Sequence, residues 1–312
     1  MARRLFLMAL VLALLATLAS YFHYRQFKAD TYAKWTSESR LAKTPLGPVE
    51  YLSKGRGPAL LQFHGTPSSY RGNLNFPFYD ALFQRYRLIS ASRPGYLRTP
   101  VETGRTPAQQ ADAFAALVQQ LALDKVVVVG ISGGGPAALS FARQHGDKCA
   151  ALVLIEALAK QPAQGLAGSG SGFYTRLLRT VLDNNFVMWL LSDRILAQLF
   201  PTLPERQQRA MSADFAEYLS LFSHFRDGLF NDARQFGTLA TPDLAGIRCP
   251  TLVLHGTSDE VVPFDHAQLV GQGIPGAILV PFEGKGHDML YTEADAIMAE
   301  IDRFLSRLPP AP

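Results

Sequence analysis

Cysteine is scarce in this sequence, which has only Cys149 and Cys249 among 312 residues. So few cysteines exclude a disulfide-framed scaffold, and no cysteine, histidine and carboxylate cluster has the spacing of a metal site. Each cysteine precedes a predicted strand, so a bridge between them stays open, and we interpret both as buried thiols. A G-x-x-x-x-G-K-[ST] loop is also absent, which excludes a P-loop nucleotide site. The sequence predicts no metal.

Outside the N-terminal segment, the sequence has no excess of positive or negative charge. Residues 1–43 carry seven basic and two acidic side chains, whereas the other residues carry 23 basic and 24 acidic ones. The larger part of the chain is therefore almost neutral and has no basic stripe of the kind that grips nucleic acid. We expect no nucleic-acid partner.

A long uncharged apolar run is present at one place, Leu5–Phe22. Eighteen helical residues reach about 27 Å, close to the thickness of a hydrocarbon core. We predict a membrane anchor over 1–24 and a juxtamembrane linker over 25–44. A signal peptide cleaved after Ala19 and a buried helix are the alternatives. Basic residues flank the run on both sides, so they do not set its orientation. The likeness to a signal sequence favours an extracytoplasmic, membrane-anchored domain.

Short apolar runs alternate with amphipathic helical patterns from about residue 45. This alternation predicts an α/β fold with a mostly parallel sheet covered by helices on both faces. The pattern stops over residues 157–245, which contain a Gly/Ser tract and aromatic-rich helical segments. It resumes at Thr251. We therefore predict a helical lid at 157–245, inserted into a core formed by 45–156 and 246–310.

Gly130-Ile131-Ser132-Gly133-Gly134 follows the most apolar predicted strand and precedes a helical segment. The G-x-S-x-G pattern in this context is typical of a nucleophile elbow. Gly130 and Gly134 remove Cβ atoms where strand and helix pass closely. The Ser132 hydroxyl would then stand at a helix N-terminus, where developing negative charge is favoured.

The same stretch also fits a dinucleotide-binding motif. Gly133–Ala138 matches G-x-G-x-x-A, and Glu156 closes the next strand, where a ribose-binding acid would lie. Two residues separate the strand from that first glycine, however, and at least three strands precede it, whereas the dinucleotide motif opens its fold. We favour the elbow and expect no cofactor.

A nucleophilic serine needs a base and an acid, and two strand-end loops supply candidates. Asp259 follows the predicted strand Thr251–Leu254, and His287 follows the last predicted strand. The order serine, acid, histidine, each after a strand, is that of α/β-hydrolases. The 28 residues from Asp259 to His287 span one helix and one strand, which returns the chain to the same sheet edge. We predict a Ser132–His287–Asp259 triad.

Phe63-His64-Gly65-Thr66-Pro67 follows another predicted strand. We expect the backbone N–H groups of Thr66 and Gly133 to form an oxyanion hole. Gly65 permits a close backbone approach there, and His64 is interpreted as a structural residue of the loop rather than the base.

With these motifs in place, the chain resembles the α/β-hydrolase superfamily, in particular lid-bearing bacterial serine hydrolases with HGTP, G-x-SGGGP and a final GH. The resemblance covers roughly residues 45–310 and implies an eight-stranded sheet with a helical cap. In the DRPGYG-like segment, Ser92 and Leu97 replace the usual Asp and Gly, and we expect this segment to shape the pocket entrance. The serine at 132 argues against relatives with an aspartate nucleophile, the epoxide hydrolases and haloalkane dehalogenases.

The expected activity is hydrolysis of a carboxylic ester in a small-molecule acyl substrate, through an acyl-enzyme. An acyltransferase or cofactor-free perhydrolase would use the same site, and a catalytically silent binding module is a further alternative. No triad member is missing, which disfavours the silent module. Glu156 stands where some members of the resembled superfamily place an alternative acid, but Asp259 fits its loop better, and we interpret Glu156 as a residue of the lid hinge.

Overall fold

A computed structural model describes residues 2–72, 77–162, 184–199 and 205–308. The chain forms two compact units. The larger comprises Ser39–Ser169 and Phe225–Pro312, and the smaller comprises Met1–Glu38 and Gly170–His224. The predicted Gly/Ser tract at 165–172 lies outside the described residues.

An eight-stranded sheet forms the centre of the larger unit, with the strand order β1-β2-β4-β3-β5-β6-β7-β8. β2 pairs antiparallel with β1 and β4, and the other pairs are parallel. This confirms the predicted mostly parallel sheet. The strands are β1 (Arg40–Thr44), β2 (Gly47–Lys54), β3 (Ala59–Phe63), β4 (Arg87–Ala91), β5 (Val126–Ile131), β6 (Cys149–Ile155), β7 (Thr251–Gly256) and β8 (Ile278–Phe282).

The helices of the described residues are α1 (Ala2–Glu38), α2 (Pro77–Arg85), α3 (Pro107–Gln120), α4 (Gly135–Gln144), α5 (Asn185–Leu190), α6 (Ser192–Leu199), α7 (Glu205–Ser220), α8 (Arg226–Phe236), α9 (Asp265–Gly273), α10 (Met289–Thr292) and α11 (Ala294–Leu305). Helix α3 begins where the sequence indicates. Thr106 caps it reciprocally with Gln109, and Pro107 occupies the first turn, where no N–H is needed.

Two apolar clusters cover the sheet, one on each face. Leu61 and Val128 belong to the cluster that includes α3, α4 and α9. Their chain neighbours Leu60 and Val127 belong to the cluster that includes α2, α10 and α11. Successive strand residues point to opposite faces, so a strand buried on both faces must be apolar throughout, and every residue of β5 is buried.

The smaller unit contains α1 together with α5, α6 and α7. The large apolar side chains of α1 from Leu5 to Leu18 are 44–66% exposed. An 18-residue window of this helix has a mean hydropathy of 2.4 with none of it buried, so it is long and apolar enough to cross a membrane. Its second half packs against the inserted helices, because Trp35 is buried and donates to Glu217 Oε2 at 2.9 Å.

Two predicted boundaries need correction. Residues 25–44 are not a linker, because α1 continues to Glu38 and β1 follows from Arg40. Only Ala42 of β1 is buried, so this edge strand lacks the apolar signal of the others. The segment from Phe225, predicted as part of the lid, belongs to the larger unit. The lid itself stays a prediction.

Cys149 and Cys249 are free buried thiols with Sγ atoms 3.2 Å apart.

Candidate active site

Three loops at the carboxyl ends of β5, β7 and β8 carry the predicted serine, acid and histidine. β5 and β7 flank β6, and β8 lies beyond β7. Because these four strands are parallel, the loops that follow them emerge at one edge of the sheet. The fold therefore brings together residues that are up to 155 positions apart in the sequence.

Ser132 occupies a sharp turn between β5 and α4. Its φ is 48°, a left-handed conformation that is costly for a residue with a Cβ atom. A Cβ atom at residue 134 would collide with the carbonyl oxygens of Phe63 and His64, and one at residue 130 would lie 2.6 Å from the Ala138 Cβ. Glycine is required at both positions for this turn to form.

Hydrogen bonds join the three side chains in a row. Ser132 Oγ lies 3.0 Å from His287 Nε2, and His287 Nδ1 lies 2.7 Å from Asp259 Oδ2. Asp259 Oδ1 accepts the backbone N–H groups of Val261 and Val262 at 2.9 and 2.8 Å. When the ring is neutral, Nδ1–H donates to the carboxylate, which leaves Nε2 free to accept the serine proton.

The charges around His287 favour its protonated form. Burial alone would lower the pKa of His287, but the hydrogen bond to Asp259 and the nearby charge of Glu156 raise it above its ordinary value. Burial would raise the pKa of Asp259, yet hydrogen bonds from His255 and His287 hold it well below its ordinary value. Asp259 is therefore an ionised carboxylate at neutral pH, placed to stabilise an imidazolium.

Glu156 lies beside this row. It directly follows β6 in a left-handed conformation with φ 50°, is 2% exposed, and accepts the Met289 N–H at 3.1 Å. Burial raises the pKa of Glu156 to about 7, against the opposing charge of His287. The interpretation as a lid-hinge residue is therefore incomplete. An acidic residue directly after a wholly apolar strand was the available signal.

Glu156, Asp259 and His287 bring potential metal-ligand atoms within 4.8 Å of one another, although their sequence spacing does not indicate a metal site. Each residue already makes a hydrogen bond through one of these polar groups. Asp259 uses both oxygens, and His287 uses both ring nitrogens. We interpret these three residues as a hydrogen-bonded acid–base cluster rather than as metal ligands.

The loop after β3 lies against the serine turn. A Cβ atom at residue 65 would lie 3.3 Å from the Ser132 Cβ, and one at residue 133 would meet the Thr66 side chain. The two predicted oxyanion residues, Thr66 and Gly133, are thus neighbours beside the hydroxyl. His64 is buried, and both of its ring nitrogens are engaged. Nδ1 lies 2.8 Å from the Gly65 carbonyl, and Nε2 accepts the Arg93 N–H at 2.8 Å.

A buried ion pair holds this loop through hydrogen bonds to its backbone and side chains. Arg93 and Asp232 are both 0% exposed and approach to 2.5 Å. Arg93 also donates to the His64 carbonyl at 2.8 Å and to Thr66 Oγ1 at 2.7 Å, and the Thr66 hydroxyl donates to Asp232. The Arg93 side chain has no exposed surface. The expectation that the segment with Ser92 and Leu97 shapes the pocket entrance stays a prediction. Asp232, on α8, was not predicted, since its partner is 139 positions away.

A strained serine turn at one edge of a mostly parallel sheet is a feature of a large class of hydrolases. The chain belongs to the alpha/beta hydrolase fold family, whose sequence profile matches residues 58–294. It is 28% identical over 254 residues to the uncharacterized hydrolase YcgS of Bacillus subtilis, covering 77% of this chain and 88% of that protein.

Two other similarities bear on activity and fold. The chain is 29% identical over 266 residues to the bifunctional esterase/perhydrolase DCH of Acinetobacter calcoaceticus, covering 80% of this chain and 91% of that protein. It matches the solved structure of a membrane phospholipase A, described as a bacterial virulence factor, with a TM-score of 0.63 and 23% identity. That match covers 98% of this chain and 99% of the other, and at this identity it shows the fold alone.

Proposed function

We propose that this protein is a serine hydrolase that cleaves a carboxylic ester through an acyl-enzyme, as a carboxylesterase does. The supporting observation is the hydrogen-bonded row from Ser132 through His287 to Asp259, which starts at a strained turn. Nucleophilic catalysis by serine needs a base in hydrogen-bond reach and a group that orients the base. The geometry supplies both without rearrangement.

His287 Nε2 accepts the proton of Ser132 as Oγ attacks the ester carbonyl carbon. The N–H groups of Thr66 and Gly133 stabilise the oxyanion of the tetrahedral intermediate. Collapse breaks the bond to the alcohol, which takes the proton from His287. Water then gives a proton to His287 and attacks the acyl carbon of the acyl-enzyme. Collapse of the second tetrahedral intermediate breaks the bond to Ser132 Oγ, which takes the proton back from His287 as the acid is released. Asp259 stabilises the imidazolium in both steps.

A matched serine pair tests this proposal. We expect Ser132→Ala to lose p-nitrophenyl acetate hydrolysis by several powers of ten, since the nucleophile is removed. Ser140→Ala is the control, because Ser140 lies on the adjacent helix α4 and its hydroxyl donates to the Pro136 carbonyl. We expect the control to retain activity. Equal rates for Ser132→Ala and the unmodified protein would refute the proposal.

Perhydrolysis is a second candidate, favoured by the similarity to a bifunctional esterase/perhydrolase. Hydrogen peroxide would replace water in attacking the same acyl-enzyme and yield a peracid. Product analysis with peroxide or an alcohol as competing acceptor separates hydrolysis from perhydrolysis and acyl transfer. Acid as the sole product would leave hydrolysis as the activity.

We further propose that residues 5–22 of α1 anchor the enzyme in a membrane, with the larger unit on the extracytoplasmic side. The exposed apolar surface of α1 supports the anchor. The mass of the full-length protein recovered from the membrane fraction distinguishes an anchor from a cleaved signal. Loss of the first 19 residues would overturn the anchor.

A further inference from the structure

A cleft of mixed polar and aromatic lining lies in the smaller unit, just after the apolar segment of α1. It has a volume of about 320 Å³ and is lined by Tyr21, Tyr24, Lys28, Asn184, Asn185, Phe186 and Ser223. An adjoining cleft of about 510 Å³ shares the two tyrosines and Lys28 and adds Arg25. The first cleft lies between α1 and residues 184–186 and 223, whereas the second is a groove on the surface of α1 alone, and both belong to one compact unit.

Lys28 is the unusual group in this cleft. Its Nζ donates to Ser223 Oγ at 3.2 Å, and the described residues contain no carboxylate paired with it. Burial lowers the pKa of Lys28. Among the described acidic side chains, Asp30 accepts from Gln26 and Glu217 pairs with Lys34. A partly buried ammonium that has no counter-charge among the described residues is suited to an external anion.

Hydrogen bonds fix the polar side chains beside Lys28. Asn185 is 5% exposed, and its side chain donates to the Ser220 carbonyl at 2.9 Å and to Ser223 Oγ at 2.8 Å. Its Oδ1 accepts the Ser223 N–H at 3.1 Å. Aromatic packing of Tyr21 and Tyr24 on Phe186, with centroids 5.4 Å apart in both pairs, holds the inserted segment to α1. The cleft is therefore a preformed feature.

If α1 crosses the bilayer as proposed above, the cleft lies at the level of the lipid headgroups. Arg25 and Lys28 lie three and six residues beyond Phe22, or about 4.5 and 9 Å along the helix axis. The headgroup layer is about 5–8 Å thick on each side of the hydrocarbon core. Helical side chains tilt towards the helix N-terminus, which brings both cations back towards the bilayer.

We propose that this cleft binds the phosphate-bearing headgroup of an anionic membrane phospholipid. Lys28 and Arg25 provide the positive charge, and the Tyr21 hydroxyl is a further donor to the phosphate oxygens. The bound lipid would link α1 to Asn184, Asn185 and Ser223 at the membrane surface. The cleft residues belong to the smaller unit and Ser132 to the larger, so binding at the cleft can be measured in a protein that lacks the Ser132 hydroxyl.

The test uses the full-length Ser132→Ala protein in detergent micelles, in which no lipid is hydrolysed. Native mass spectrometry measures the binding of added phosphatidylglycerol to this protein and to its Lys28→Met and Lys28→Arg derivatives. A hydrogen bond to a charged group contributes about 1.5–3 kcal/mol, so we expect Lys28→Met to weaken binding about tenfold or more. Lys28→Arg keeps the charge and should retain binding.

Arg194→Met is the matched control, because Arg194 is an exposed cation of α6 outside the cleft. Equal lipid binding by Lys28→Met and the parent protein would overturn the proposal, as would an equal loss in Arg194→Met. Glycerol 3-phosphate binding as tightly as phosphatidylglycerol would overturn the assignment to a membrane lipid. Vesicle flotation of the same variants tests the anchor separately. Esterase assays of the protein that retains Ser132 test the proposed function.

Discussion

Replacing Glu156 with Gln removes a buried carboxylate from beside His287 and keeps an oxygen that can accept the Met289 N–H. The ligand atoms of Glu156 and His287 lie within 4.8 Å. Two full charges at this distance attract by about 3.5 kcal/mol at an effective dielectric constant of about 20. Because the pKa of Glu156 is about 7, the group is only partly ionised at neutral pH. At half ionisation we expect about 1.7 kcal/mol of this attraction to act, or about twentyfold in rate.

The sign follows from the charge. Removing a negative group lowers the pKa of His287, so the ring stays neutral to lower pH. The acidic limb of the kcat/KM profile therefore shifts to lower pH. At pH 8 to 9, where Glu156 is ionised, the variant loses stabilisation of the imidazolium and kcat falls. The assay is the pH dependence of ester hydrolysis by both proteins. An acidic limb that does not move, or that moves to higher pH, would refute this account of Glu156.

Other predictions concern stability and the remaining charged groups. A carboxyl whose pKa rises from 4.5 to about 7 on folding stabilises the fold below pH 4.5 and loses this contribution as the pH passes 7. Urea unfolding should therefore show Glu156→Gln gaining up to about 3 kcal/mol on the parent between pH 4.5 and 8, and a pH-independent difference would contradict this. Asp259→Asn should lower kcat by about four powers of ten and move the acidic limb of kcat/KM down, and an unchanged kcat would count against the assigned role. Asp232→Ala leaves Arg93 buried without a counter-charge and should cost about 3–5 kcal/mol of unfolding free energy, whereas a cost below 1 kcal/mol would contradict the ion-pair account.

The sequence was sufficient to predict the sheet and the three strand-end residues. Strands buried on both faces leave continuous apolar runs, as in β5, and the elbow depends on glycines that collide with backbone if they carry a Cβ. Both signals are local in the sequence. The convergence of Ser132, Asp259 and His287 then follows from the parallel sheet, because their strands end at one edge.

Long-range polar pairs were not predictable in this way. Arg93 lies in the loop after β4 and Asp232 lies on α8, and neither has a spacing that indicates the other. The sequence placed Glu156 at the lid hinge, because only the three-dimensional neighbours His287 and Met289 reveal its surroundings. The edge strand β1 also escaped prediction, since one buried residue in five gives no alternation. Contacts between distant segments decide these features.

Site-specific labelling tests the central claim most directly. The full-length protein is treated with a fluorophosphonate and digested, and its peptides are sequenced by mass spectrometry. We expect one covalent adduct, on the Ser132 hydroxyl, and its loss in His287→Ala, because the base that activates the nucleophile is gone. An adduct on another residue, or labelling of Ser132 that is unaffected by removing His287, would contradict the account.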